Sequence, residues 1–112
     1  MLPGPDVLDG ANIGAHAGMS MDDAVATGVD HAGSDAVMET TGKGTNYQLR
    51  GTASDESGTM TEKIARFDVN PSDSHVAANG PHLNLETQVN GRVVSNSHIR
   101  IDPRTIRPGD HP

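Results

Sequence analysis

The sequence predicts an α+β fold in which short N-terminal helices pack on an antiparallel sheet of about four strands. The chain changes character at Thr45: the part before it is rich in glycine, alanine and aspartate, and the part after it alternates apolar and polar residues, as half-buried strands do. The dipeptide Asn90-Gly91 is a strong signal for a hairpin between two of these strands. Two serines, Ser20 and Ser34, are placed as N-caps of short helical stretches.

The composition fits one small domain with a thin core, because 33% of the 112 residues are hydrophobic and 2% are aromatic. The chain has no cysteine, which excludes disulfides, cysteine zinc sites and cysteine nucleophiles. No apolar run approaches the roughly 18 residues of a membrane-spanning helix, so we expect no membrane partner.

The formal net charge of -7 is unevenly distributed. Residues 1–62 hold ten acidic residues against Lys43 and Arg50, whereas residues 63–112 hold six basic residues against five acidic ones. Four of the six histidines also lie in the second half. If any part of the chain binds a polyanion, we expect it to be this half.

We expect residues 1–18 to form a flexible arm or linker and residues 19–112 to form a single domain. Within that domain the pattern predicts helices over 19–44, a sheet over 45–102 and a tail over 103–112. The first helix follows Ser20 and ends at Gly28, and the second follows Ser34 and ends before Gly42.

Four strands are predicted over residues 45–52, 59–69, 82–89 and 93–101. The last two form the hairpin, whose register decides which residues share a face. A two-residue loop alone would place Leu83 opposite His98 and mix polar with apolar residues. One more loop residue, or a bulge near Ser95, separates the faces, and we favour that register. Its pairs are Leu83 with Ile99, His82 with Arg100, Asn84 with His98, Glu86 with Asn96, and Val89 with Val93.

In this register His82, Glu86, His98 and Arg100 share one polar face of the hairpin. Cleavage of RNA by its own 2′-hydroxyl needs a base, an acid and a cation for the charge on phosphorus. Histidine and glutamate side chains can serve as acid and base, and an arginine fork matches phosphate oxygens. That chemistry requires no metal or cofactor. The alternative is that these four side chains are an ordinary solvated sheet face.

A metal site is not expected from His82-x-x-x-Glu86, because on a strand these two residues lie about 13 Å apart at a rise of ~3.3 Å per residue. His75 is expected in a loop, where it could be functional or structural. The remaining histidines, His16, His31 and His111, lie in segments without a partner pattern.

Two C-terminal segments, Pro81-His82-Leu83-Asn84-Leu85-Glu86 and His98-Ile99-Arg100-Ile101-Asp102-Pro103, resemble the C-terminal toxin domains of bacterial polymorphic toxins. The resemblance covers roughly residues 45–110. Many of these domains are expected to share the fold of barnase, EndoU, certain colicin RNases and RelE, with helices followed by a four-stranded sheet.

The resemblance implies an endoribonuclease toxin used in interbacterial competition, with a cognate immunity protein as partner. It also implies delivery as the C-terminal part of a larger effector that acts in the cytoplasm of the target cell. The catalytic residues implied are His82, Glu86, His98 and Arg100, with Arg66 and Asn84 as contacts to substrate or phosphate.

Two other functions fit the same sequence. One is a non-enzymatic, β-rich module that binds a protein through its polar face. The other is a toxin of different chemistry, such as a DNase or a nucleotide-modifying enzyme. Chelation separates a metal-independent RNase from most DNases, because most DNases need a divalent cation.

Overall fold

The structure is a computed structural model that describes residues 18–112. The arm expected over residues 1–18 lies, up to residue 17, outside the described part of the chain. The elements in order are α1 (Met21–Ala32), β1 (Val37–Thr40), β2 (Tyr47–Ser54), β3 (Met60–Asp68), α2 (Ser74–Asn79), β4 (His82–Val89) and β5 (Arg92–Arg100), followed by 3₁₀ turns over Pro103–Thr105 and Pro108–Asp110.

The five strands form one antiparallel sheet in the order β1-β2-β3-β4-β5, with α1 packed on one face. The α+β prediction is therefore confirmed, with one strand more than expected. None of the helices in residues 18–112 has the length and apolar character needed to cross a membrane.

The additional strand replaces the second predicted helix, which was wrong. Ser34 lies in a turn closed by a hydrogen bond from Ala36 N to Gly33 O, and β1 begins at Val37. The segment from there to Gly42 is too short to hold a helix by itself. Pairing with β2 satisfies its backbone groups instead, with Val37 opposite Arg50.

Helix α1 begins where the sequence predicts, since the Ser20 side chain accepts a hydrogen bond from Asp23 N. It continues past the predicted end at Gly28 to Ala32. A Cβ on Gly28 would lie 2.6 Å from Cζ of Phe67, so the glycine allows the helix to pack closely on the sheet.

The core lies between α1 and the apolar face of the sheet. Its buried members are Met21, Ala24, Ala65, Phe67, Val69, Leu83, Ile99 and Ile101. The tail after β5 contributes as well, because Ile106 packs against this cluster and Thr105 Oγ1 accepts a hydrogen bond from Met21 N at 2.8 Å.

The preferred register of the hairpin is confirmed at four of its five predicted pairs. Leu83 pairs with Ile99, His82 with Arg100, Asn84 with His98, and Glu86 with Asn96. The fifth pair was wrong: Val89 pairs with Arg92 across the Asn90-Gly91 turn. The extra residue is taken up by a bulge opposite Thr87 and Gln88, which leaves Val93 51% exposed on the edge strand.

Gly51 on β2 is a sensitive packing position, because a Cβ there would overlap the carbonyl oxygen of Ala32 at the end of α1. We expect Gly51→Ala to lower the free energy of unfolding by roughly 1–3 kcal/mol, the cost of overpacking. Gly109→Ala is the matched control, since no atom lies within 4 Å of its Cβ position. Urea unfolding of both variants measures the difference, and equal stabilities would contradict the close approach of α1 to β2.

Candidate functional site

The polar face of the sheet brings the predicted residues together in two rows across β3, β4 and β5. Arg66, Asn84 and His98 are cross-strand neighbours in one row. Asp68, His82 and Arg100 form the adjacent row. This arrangement follows from the alternation of side chains along each strand and from the confirmed register.

Asp68 is the centre of the cluster, at 6% exposure. Its Oδ2 atom accepts hydrogen bonds from Asn84 Nδ2 at 2.8 Å and from Arg66 Nε at 3.2 Å. The same oxygen lies 3.2 Å from Nε2 of His82. Burial works to raise the pKa of Asp68, but the contact with His82 and the charge of Arg66 outweigh it and lower that pKa.

His82 is buried at 1% exposure and is held from both sides of its ring. Its Nδ1 donates to the carbonyl of Gly80 at 2.9 Å. Its Nε2 is close enough to Asp68 for an ion pair, although the contact lacks hydrogen-bond geometry. Burial works to lower the pKa of His82, but Asp68 and the Gly80 carbonyl outweigh it, so the pKa is raised and the charged ring is favoured.

Two further imidazoles contact the ring of His82 from the surface. The exposed ring of His98 is stacked on it, with centroids 5.5 Å apart and planes 10° from parallel. His75, also exposed, meets it edge-on with centroids 5.3 Å apart. Partial burial and the positive charges of His82 and Arg66 lower the pKa of His98, which favours its neutral form.

Arg66 carries the exposed positive charge of the site, with 38% of its side chain accessible. Its Nε contacts Asp68, and its two Nη atoms have no ion-pair partner within residues 18–112. It also lines a cleft of about 470 Å³ together with Asp68, His75 and Lys43. A guanidinium at the rim of an open cleft is suited to binding a phosphate group.

Not all the predicted residues join this cluster. Glu86 lies on the same face, but its carboxylate accepts a hydrogen bond from Gln88 Nε2 at 2.6 Å, and about 13 Å of strand separates it from His82. Arg100 borders the cluster: it pairs with His82 in register, and its Nη1 lies 3.8 Å from the Cβ position of Gly80, whose carbonyl accepts from His82. Asn84 is buried with its amide nitrogen on Asp68, so it supports the site from below.

Sequence reasoning missed two members of the cluster, Asp68 and His75. Asp68 lies on the same sheet face as Arg66, two residues after it, and that spacing was an available signal. His75 gave no signal, because only the fold of α2 brings it against His82. Helix α2 begins after Asp73, whose side chain accepts a hydrogen bond from His75 N and fixes the first turn.

Within residues 18–112, no group of three or more histidine, aspartate or glutamate side chains has the arrangement of a metal site. Comparison of the chain with protein-family models, curated proteins and solved structures gives no match. The site itself offers two exposed imidazoles, those of His98 and His75, a buried imidazole, His82, beside the Asp68 carboxylate, and the exposed guanidinium of Arg66.

Proposed function

We propose that this domain is a metal-independent endoribonuclease that cleaves RNA by acid and base catalysis. The observation that carries the proposal is the exposed ring of His98, stacked on the buried ring of His82 and in the same cross-strand row as Arg66. A base of lowered pKa next to fixed positive charge is what attack on a phosphodiester requires.

In the proposed reaction the neutral His98 takes the proton of a ribose 2′-hydroxyl. The 2′-oxygen then bonds to the adjacent phosphorus, and the bond from phosphorus to the 5′-oxygen of the next nucleotide breaks. His75, in its protonated form, gives a proton to that leaving oxygen. The products are a 2′,3′-cyclic phosphate and a free 5′-hydroxyl, so protons and charge balance without an added reactant.

The developing negative charge on the phosphate oxygens is stabilised by Arg66, which is partly exposed and lines the same cleft as His75. His82 is a positioning residue in this scheme, because it is buried and supports His98 and His75 through ring contacts. Asp68 raises the pKa of His82 and so favours its charged form, while partial burial and positive charge on His82 lower the pKa of His98 and favour its neutral form. Glu86 and Arg100, both predicted to be catalytic, have no direct role here.

The biological setting is proposed from the resemblance of residues 45–110 to polymorphic toxin domains. This resemblance supports RNA as the substrate, a cognate immunity protein as the partner, and delivery within a larger effector into the cytoplasm of a target cell. The acidic character of residues 1–62 supports RNA contact through the histidine-bearing half of the chain.

The test is incubation of the purified domain with total bacterial RNA and, separately, with duplex DNA, both in EDTA. We expect RNA fragments that carry 2′,3′-cyclic phosphate ends, detected by electrophoresis and end-group analysis, and intact DNA. RNA that stays intact in EDTA would contradict the proposal. Cleavage of DNA after magnesium is added would indicate a DNase instead of a ribonuclease.

A further inference from the structure

The edge of the sheet formed by β1 has the features of a strand-binding surface. Thr41 N donates to Asn46 O at 2.9 Å, which makes Thr41 and Asn46 a hydrogen-bonded pair next to the β1 ladder. Because such pairs alternate along antiparallel strands, the N–H and C=O groups of Met38 and Thr40 point away from β2. No strand within residues 18–112 covers that side of β1.

An apolar groove of about 330 Å³ runs beside this edge, between it and α1. Its lining includes Val25 and Val29 of α1, Met38 of β1, and Tyr47 and Leu49 of β2. Met38 is 64% exposed, and both valines are exposed as well. Side chains of a strand added to β1 would enter this groove on one side of the sheet, because Met38 shares the apolar face with Leu49.

The opposite edge of the sheet, formed by β5, is less suited to pairing. The bulge opposite Thr87 and Gln88 interrupts its hydrogen-bonding row. Its C-terminal end is covered by a parallel bridge between Met19 and Ile101. Bulges and covering segments are common ways to protect an edge, and within residues 18–112 the β1 edge has neither.

Charge decides what kind of occupant this surface accepts. Residues 18–44 contain five acidic residues and one basic residue, Lys43. Asp22 is paired with Arg107 and Glu39 with Arg50. The other three acidic residues are Asp23, Asp30 and Asp35. None of them has an ion-pair partner within residues 18–112. This charge opposes pairing of two copies of the chain and attracts lysine or arginine.

We propose that the β1 edge and its groove bind an extended segment of a partner protein that alternates apolar and basic side chains. The segment pairs with β1 through its backbone and places its apolar side chains against Val25, Val29 and Met38, on the α1 side of the sheet. Its basic side chains alternate to the opposite face, beside Glu39, and the net negative charge of residues 18–44 attracts them at longer range. This surface is separate from the histidine cluster, so the inference does not depend on the proposed ribonuclease activity.

The test uses a capped synthetic peptide of about seven residues, the length of a typical strand, with alternating valine and lysine. A second peptide has glutamate in place of lysine. Titration of the labelled domain, followed by amide NMR shifts at low salt, should move Val37, Met38, Thr40, Val25 and Val29. We expect the lysine peptide to bind at least about tenfold more tightly than the glutamate peptide, a difference of ~1.4 kcal/mol.

Two variants make the test specific to this edge. Met38→Lys should reduce binding of the lysine peptide by about tenfold or more, because it adds a like charge and removes apolar contact. Val94→Lys on β5 is the matched control and should bind as the unmodified domain does. Equal binding of both peptides, shifts centred on β5, or dimer formation through β1 in sedimentation equilibrium would each overturn the proposal.

Discussion

Replacement of His98 by alanine is expected to reduce RNA cleavage by a factor of roughly 10² to 10⁴, the usual contribution of a positioned general base. The His98 ring is exposed and stacks on His82, and within residues 18–112 it makes no side-chain hydrogen bond. Its removal should therefore leave the fold intact. Single-turnover cleavage of a short RNA, measured alongside thermal unfolding, separates loss of chemistry from loss of structure.

His111→Ala is the matched control, because this histidine lies in the C-terminal segment and lines a different cleft. It should cleave RNA at the unmodified rate. The pH profile gives a second readout: since the unprotonated His98 is the active form and its pKa is lowered from 6.5, the acid limb should have its midpoint below that value. Cleavage that survives in His98→Ala would remove His98 from the mechanism.

The β4–β5 hairpin was predicted well from the sequence, because its register follows from the alternation of polar and apolar side chains. The Asn90-Gly91 turn and the separation of polar from apolar faces were enough to place Leu83 opposite Ile99 and His82 opposite Arg100. The bulge next to Ser95 was predicted as well, but the pairing between it and the turn was not, because Val93 and Val94 are apolar residues on an exposed edge. Their pattern resembles that of buried positions.

The hydrophobic pattern could not distinguish strand β1 from a helix, since four residues are too few to show either a helical or a strand periodicity. It forms because β2 offers an open edge for pairing, which is a tertiary cause. Prediction of the candidate site was limited in the same way, because part of the site depends on tertiary contacts. Strand alternation brought His82 and His98 together, whereas His75 reaches His82 only through the turn and helix that follow β3.

Alternation also explains why Glu86 and Arg100 were grouped with the histidines. Both lie on the predicted face, but Glu86 is four residues from His82 along a strand that rises about 3.3 Å per residue, whereas Arg100 is the cross-strand partner of His82. The Glu86 carboxylate accepts a hydrogen bond from Gln88, and the guanidinium of Arg100 lies near Gly80. Asp68 is the residue that joins the cluster, and its role depends on burial, which alternation alone does not report.

Replacement of Asp68 by alanine is expected to lower the free energy of unfolding by roughly 3–5 kcal/mol near pH 5.5, the cost of removing one partner of a buried ion pair. The variant leaves Arg66 and Asn84 without their acceptor and places the charged ring of His82 in a buried site. Urea unfolding at that pH measures the loss. The Asp68 side chain is not part of the apolar core cluster, so the transition should stay cooperative.

The stability lost in Asp68→Ala should depend on pH, and that dependence follows from the pKa shifts of Asp68 and His82. The pKa of His82 is raised in the fold, so its contribution to stability is complete below 6.5 and disappears as pH rises through the folded value. The pKa of Asp68 is lowered, so its contribution is complete above 3.8 and disappears as pH falls through the folded value. The difference between the unmodified domain and Asp68→Ala should therefore be largest between these two pH values and decline on both sides.

Glu39→Ala provides the matched control, because Glu39 pairs with Arg50 on the exposed part of the same face. Its pKa is lowered chiefly by the hydrogen bond from Arg50, whose charge does not change over this range, so its effect should decline only in acid. NMR titration of the His82 ring completes the test, since its pKa should fall when Asp68 is removed. An unchanged His82 pKa, or a stability difference independent of pH, would mean that Asp68 and His82 are not an ion pair and that the charge on His82 is not available to hold His98 neutral.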